Sequence, residues 1–111
     1  MKTNELSGAA LNWAVAMAEG WQPTTARDNT GQYPWLIKVG KNIDPKQYRP
    51  STNWAQGGPI IERECIAVAF DGYPQGWVAN QKYYGTTPLI AAMRCYVASK
   101  LGDDVEIPEG I

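Results

Sequence analysis

The sequence predicts an α+β fold: two main helices packed on a small, mainly antiparallel sheet of three to four strands, in two layers. Three observations carry this. Residues 86–102 repeat apolar side chains at helical spacing between marked ends. Residues 5–20 form a second apolar helical run. Between 66 and 80, two short runs rich in β-branched and aromatic residues flank an Asp-Gly-Tyr-Pro turn. A chain of 111 residues suits one core, so 1–111 reads as a single domain ending in an acidic tail, 103–111.

The C-terminal helix is the most fully specified. Thr87 can accept from the first free amides, and Pro88 fits the first helical position, where no donor is needed. Gly102 supplies a stop and Lys100 puts positive charge in the last turn. Leu89, Met93, Tyr96, Val97 and Leu101 share one face. Burying such a face contributes roughly 5–10 kcal/mol before conformational entropy is subtracted, so the rest of the chain is expected to pack on it.

At the other end, Ser7 reads as the cap and Gly20 as the stop of a helix over 5–20. Leu6, Ala10, Trp13, Ala14 and Met17 make one stripe, while Leu11, Val15 and Ala18 lie off it. A helix apolar around most of its circumference is buried on more than one side, and a second subunit is one way to supply that side; a homo-oligomer is expected. The basic-then-apolar start reads as a mature helix, because Asn4, Glu5, Asn12 and Glu19 interrupt it where a signal peptide would be apolar.

Residues 21–34 are turn-rich, and Trp35–Val39 reads as a strand. Residues 40–59, with three prolines and Gly57–Gly58, read as a long irregular connection. For 60–65 a short helix is favoured over an alternating strand. Ile66–Phe70 and Gly76–Asn80 form an antiparallel hairpin. Residues 82–86 lead into the last helix. The tail is expected either to hug the surface or to fray.

Composition excludes several chemistries. The chain has no histidine, which removes Ser-His-Asp and Cys-His catalysis and the common transition-metal sites. Cys65 and Cys95 are too few for a zinc site; reduced, partly buried thiols are favoured over a disulfide. No apolar run approaches the roughly 20 residues that span a bilayer, and no membrane association is expected. Net charge is −1, so duplex nucleic acid is not an expected partner. The charges are uneven, however. Lys38, Lys41, Lys46 and Arg49 face only Asp44 in sequence, which is either ordinary loop charge or the mark of an anion site.

The candidate site is Tyr48–Glu64. Ser51, Thr52, Asn53 and Gln56 offer directed donors and acceptors beside Trp54, whose face can stack on a ring. Gly57 and Gly58 would let main-chain amides approach a ligand, and Arg49 and Arg63 could grip phosphate oxygens. The bland alternative is a loop whose polar groups bond its own backbone while Trp54 plugs the core. The segment is neither a Walker loop nor a dinucleotide-binding turn. Glu62 and Glu64 read as surface charge rather than as an acid–base pair. No catalytic residue, metal or cofactor is expected.

Three blocks, KTNELSGAALNWAVAMAEG, PSTNWAQGGPIIERE and YGTTPLIAAMRCYVASKLGDDVEIPE, resemble the NinX family of small proteins of tailed bacteriophages and prophages. The similarity runs over the whole chain and is weakest from Gln22 to Arg49. The resemblance implies an accessory phage product made in the cytoplasm of the infected bacterium; it supplies no catalytic residue. Two non-enzymatic readings follow: sequestration of a nucleotide-derived bacterial defence signal, or a module that binds or inhibits a host protein. A nucleic-acid binder is a minor third.

Overall fold

A computed structural model describes residues 1–23, 36–38, 41–74, 76–108 and 111. It contains α1 (Gly8–Ala18), β1 (Gln22–Pro23), β2 (Leu36–Lys38), β3 (Lys41–Ile43), α2 (Trp54–Glu64), β4 (Val68–Gly72), β5 (Gly76–Ala79), β6 (Tyr83–Gly85) and α3 (Pro88–Leu101), preceded by a 3-10 turn at Thr3–Glu5. The class is α+β. Among the described residues, the expected two helices on one sheet give way to three helices and two antiparallel three-stranded sheets, ordered β1-β2-β3 and β4-β5-β6.

The central element is α3. Its Thr87 cap accepts from Ile90 N at 3.1 Å, Pro88 opens it and Gly102 ends it at φ +89°. Leu89, Ala91, Ala92, Met93, Cys95, Tyr96 and Val97 are buried. Three consecutive buried residues cover more than half a helical turn, so α3 is enclosed on several sides; it meets the β4–β6 sheet, α1 and α2. Leu101, expected on the buried face, is instead exposed where the helix runs out. Arg94 crosses from α3 to the rest of the chain: its guanidinium donates to Leu6 O at 2.8 Å and Tyr84 O at 2.7 Å.

In α1, Leu11 and Trp13–Ala16 are buried within the single chain, and Ala18 is partly buried. Ser7 precedes this helix without a side-chain capping bond, and Gly20 follows it at φ +90°.

The short helix expected at 60–65 is present through Glu64 but begins earlier than expected, as α2. The irregular connection over 40–59 ends at Asn53, whose side chain accepts from Ala55 N at 2.9 Å and starts the helix six residues before Ile60. The helix carries Gly57, Gly58 and Pro59 inside it. Gly57 explains why glycine is tolerated: a Cβ there would run into the Pro50 carbonyl oxygen and Leu89 Cδ2. The absent side chain lets α2 lie directly against the 45–52 segment and α3.

The hairpin is antiparallel as expected, with Val68 opposite Ala79 and Phe70 opposite Trp77. Tyr83–Gly85, read only as a lead-in, adds a third strand, with Tyr84 opposite Val78. Of the strand expected at 35–39, Leu36–Lys38 is observed; Trp35, Val39, most of the turn-rich 21–34 stretch, Gly40, Gln75 and residues 109–110 lie outside the described residues. The acidic tail hugs the chain at its start: Lys2 and Asp104 form an antiparallel bridge, Thr3 N donates to Asp103 O at 2.9 Å and Val105 N to Met1 O at 2.9 Å. Cys65 is exposed, Cys95 is buried, and both are free thiols.

Candidate functional site

Four stretches converge on one cleft of about 770 Å³, within the size range of small-molecule sites. The first turns of α1 give Gly8, Ala9, Asn12 and Trp13; β2 gives Leu36; the segment after β3 gives Pro45, Lys46, Tyr48, Arg49 and Thr52; and Ile111 closes one side. The wall is mostly apolar, with cations and no carboxylate side chain among these lining residues.

The 45–52 segment is fastened at several points. Asp44 Oδ1 accepts from Lys46 N at 2.9 Å and turns the chain out of β3. Gln56 Oε1 accepts from Arg49 N at 2.5 Å while its Nε2 donates to Gln47 O at 2.9 Å. Ser51, 1 % exposed, donates from both N (3.0 Å) and Oγ (2.7 Å) to Asn12 Oδ1, tying the segment to α1. These polar side chains build the wall and are already spent on protein partners.

Of the residues named from sequence, Tyr48, Arg49 and Thr52 line the cleft. Ser51, Asn53 and Gln56 support it from behind. Trp54 neither plugs the core nor lines the cleft; it is 56 % exposed at the start of α2. Gly57 and Gly58 are helical, so they form no open nest of amides around an anion; Gly57 N donates to Asn53 O at 2.9 Å. Arg63 is ten residues beyond Asn53, about 15 Å along the helix. Its guanidinium forks onto Glu19 at 3.1 and 2.7 Å and also meets Glu64 at 2.9 Å, so it is committed to an ion-pair network and does not belong to the cleft.

Asn12, Trp13 and Leu36 join the cleft without a place in the candidate segment, and Lys46 joins it from the basic stretch before that segment. Lys46 had a signal in the excess of bases between Lys38 and Arg49. The others join the cleft through tertiary contacts, which leave no local mark in the sequence.

Tyr48 sets the electrostatic character. Burial, and then the charge of Glu19, push its phenol far above the ordinary tyrosine value, more than the opposing hydrogen bond from Trp21 and charge of Arg63 can offset. It is therefore a neutral hydroxyl throughout the physiological range. Its ring is tilted against Trp21 at 5.8 Å, with Lys38 Nζ 5.9 Å from the Trp21 ring centre. The arrangement suits a flat ring carrying negative charge: aromatic surface inside, cations at Lys46 and Arg49.

No group of His, Cys, Asp or Glu able to hold a metal ion occurs among the described residues, and no helix among them is long and apolar enough to cross a membrane. No curated protein matches the chain. The family described as Bacteriophage P22, NinX matches residues 2–100, nearly the whole chain, and the chain therefore belongs to this NinX family of phage accessory proteins.

Proposed function

We propose that this phage accessory protein acts in the cytoplasm of the infected bacterium as a non-enzymatic binder, sequestering a nucleotide-derived defence signal in the Trp13–Tyr48 cleft. One observation carries the reading: Trp13, Tyr48 and two cations, Lys46 and Arg49, line one cleft of about 770 Å³. A base or other flat ring stacks on such walls, while a phosphate meets the cations.

Thermal shift against a panel of cyclic and linear nucleotides tests this. Ligand at 100 times its dissociation constant adds about 2.7 kcal/mol, which in a chain of this size raises Tm by on the order of 10 °C. The rise should vanish in the Lys46→Ala/Arg49→Ala variant. A flat response of the native protein to every nucleotide would sink the proposal.

A second reading, docking on a host protein, is favoured by a different place. Phe70 and Tyr73 are 55 % and 91 % exposed, and Phe70 meets Tyr73 and Trp77 edge-on at 5.9 and 5.3 Å. Exposed aromatic clusters of this kind recur at protein interfaces. Stoichiometric recovery of one host protein, lost on Phe70→Ser/Tyr73→Ser, would support it; recovery unchanged by those substitutions would count against it.

A further inference from the structure

Beyond the cleft, the basic residues continue in one direction. Leu36, in the cleft wall, pairs with Ile43 across β2–β3, and two residues further out Lys38 stands directly opposite Lys41. Like charges facing each other across strands are destabilising. Among the described residues neither lysine forms an ion pair. Lys38 lies over the Trp21 ring and feels the attraction of the Glu19 carboxylate, without forming an ion pair with it. Asp44, the acid of this stretch, accepts from the Lys46 amide and forms no ion pair with either lysine.

Resting on the binding reading above, we propose that the ligand is a short single-stranded phosphodiester chain: one terminal ring against Trp13 and Tyr48, and successive phosphates along Lys46 and Arg49 and then Lys41 and Lys38. Two strand residues span about 7 Å, of the same order as the phosphate-to-phosphate step of an extended single strand. A mononucleotide seated in the cleft reaches the first pair of cations and leaves the second unused. A duplex does not fit this description, because its bases are stacked inside and cannot reach the cleft; an unpaired base can. The facing lysines are then a charge held ready for a partner.

Titration calorimetry with thymidine 5′-monophosphate and with 5′-phosphorylated tetrathymidylate, each over a series of salt concentrations, tests the proposal. The tetramer is expected to bind at least tenfold tighter than the monomer. Its log K should fall more steeply with log salt, by about 0.7 per added phosphate contact. Lys38→Ala/Lys41→Ala should lower tetramer affinity about tenfold and flatten its slope by about 1.4. The same variant should leave monomer affinity within twofold and Tm unchanged or raised, since a repulsion is removed.

Equal affinity for monomer and tetramer, or a tetramer affinity indifferent to the two lysines, overturns the extended-strand proposal while leaving the cleft reading intact. Failure of both ligands to bind overturns the extended-strand proposal, and the cleft reading falls with it only when the whole nucleotide panel is silent as well. Equally tight binding of a tetraglutamate peptide overturns it in favour of a site that reads charge alone.

Discussion

Ser51 and Asn12 are joined through a single acceptor: the Ser51 amide, at 3.0 Å, and its hydroxyl, at 2.7 Å, both donate to Asn12 Oδ1. The pair links the segment after β3 to the second turn of α1, and Ser51 is buried. Asn12→Ala would strand two donors away from water. A loss of about 2 kcal/mol is expected in urea unfolding, together with weaker ligand binding, because the wall bearing Arg49 and Thr52 is no longer fastened. Ser51→Ala removes one donor and should cost about half as much.

The adjacent glycines of α2 are expected to behave oppositely. Gly57→Ala forces a methyl against the Pro50 carbonyl and Leu89, and should destabilise by about 1–3 kcal/mol despite alanine's better helix propensity. At Gly58 the nearest atom to an added Cβ is in the Trp54 ring at 3.8 Å, an ordinary contact. Gly58→Ala should therefore stabilise by about 0.5–1 kcal/mol. Chemical denaturation of both single variants checks the contrast.

Glu19, Arg63 and Tyr96 tie the ends of α1 and α2 to the middle of α3; Tyr96 OH donates to Glu19 Oε2 at 2.5 Å. Burial works against the charged Glu19, but hydrogen bonds from Arg63 and Tyr96 outweigh it and hold the carboxyl below its ordinary value. A carboxyl whose folded pKa is depressed stabilises the fold above its unfolded value, about 4.3, and loses that contribution as pH falls through the folded value. Glu19→Gln should cost about 1–2 kcal/mol at pH 7, a figure reduced because Arg63 is half exposed. The gap from the native protein should close as the pH drops below about 4, read from urea midpoints across pH 7 to 3.

Trp54 provides a control. It is exposed and outside the cleft lining, so Trp54→Ala should change stability by no more than about 0.5 kcal/mol and nucleotide affinity by less than twofold. A large loss of affinity would move the site to the start of α2.

What is legible in the sequence divides from what is not along physical lines. Helix α3 is legible because its end signals are local and agree: Thr87, Pro88 and Gly102 each occupy the position their chemistry favours. Helix α2 is legible only in its second half, where a short helix is expected over 60–65; Gly57, Gly58 and Pro59 disfavour its first half locally, and there Gly57 packs closely on Pro50 and Leu89. One signal is present: Asn53 followed three residues later by Gln56 has the form of a helix start. Gln56, though, turns back to Gln47 and Arg49 instead of the Asn53 amide. At the site, the segment carrying Tyr48, Arg49 and Thr52 is visible in composition. Its opposite wall, Asn12 and Trp13, depends on α1 being brought against residues thirty or more positions away, which no local pattern encodes.

The close approach of Gly57 to Pro50 has a consequence for how such a protein can diversify. The cleft's main chain is moulded onto the interior, so its outline cannot be widened or shifted by small steps without disturbing the packing of two helices. Under the proposed binding role, new ligand preferences are reached most readily by exchanging the outward side chains at 46, 49 and 52 on an unchanged scaffold. Among related phage proteins, altered binding tastes should accordingly accompany variation at those three positions, with glycine retained at 57.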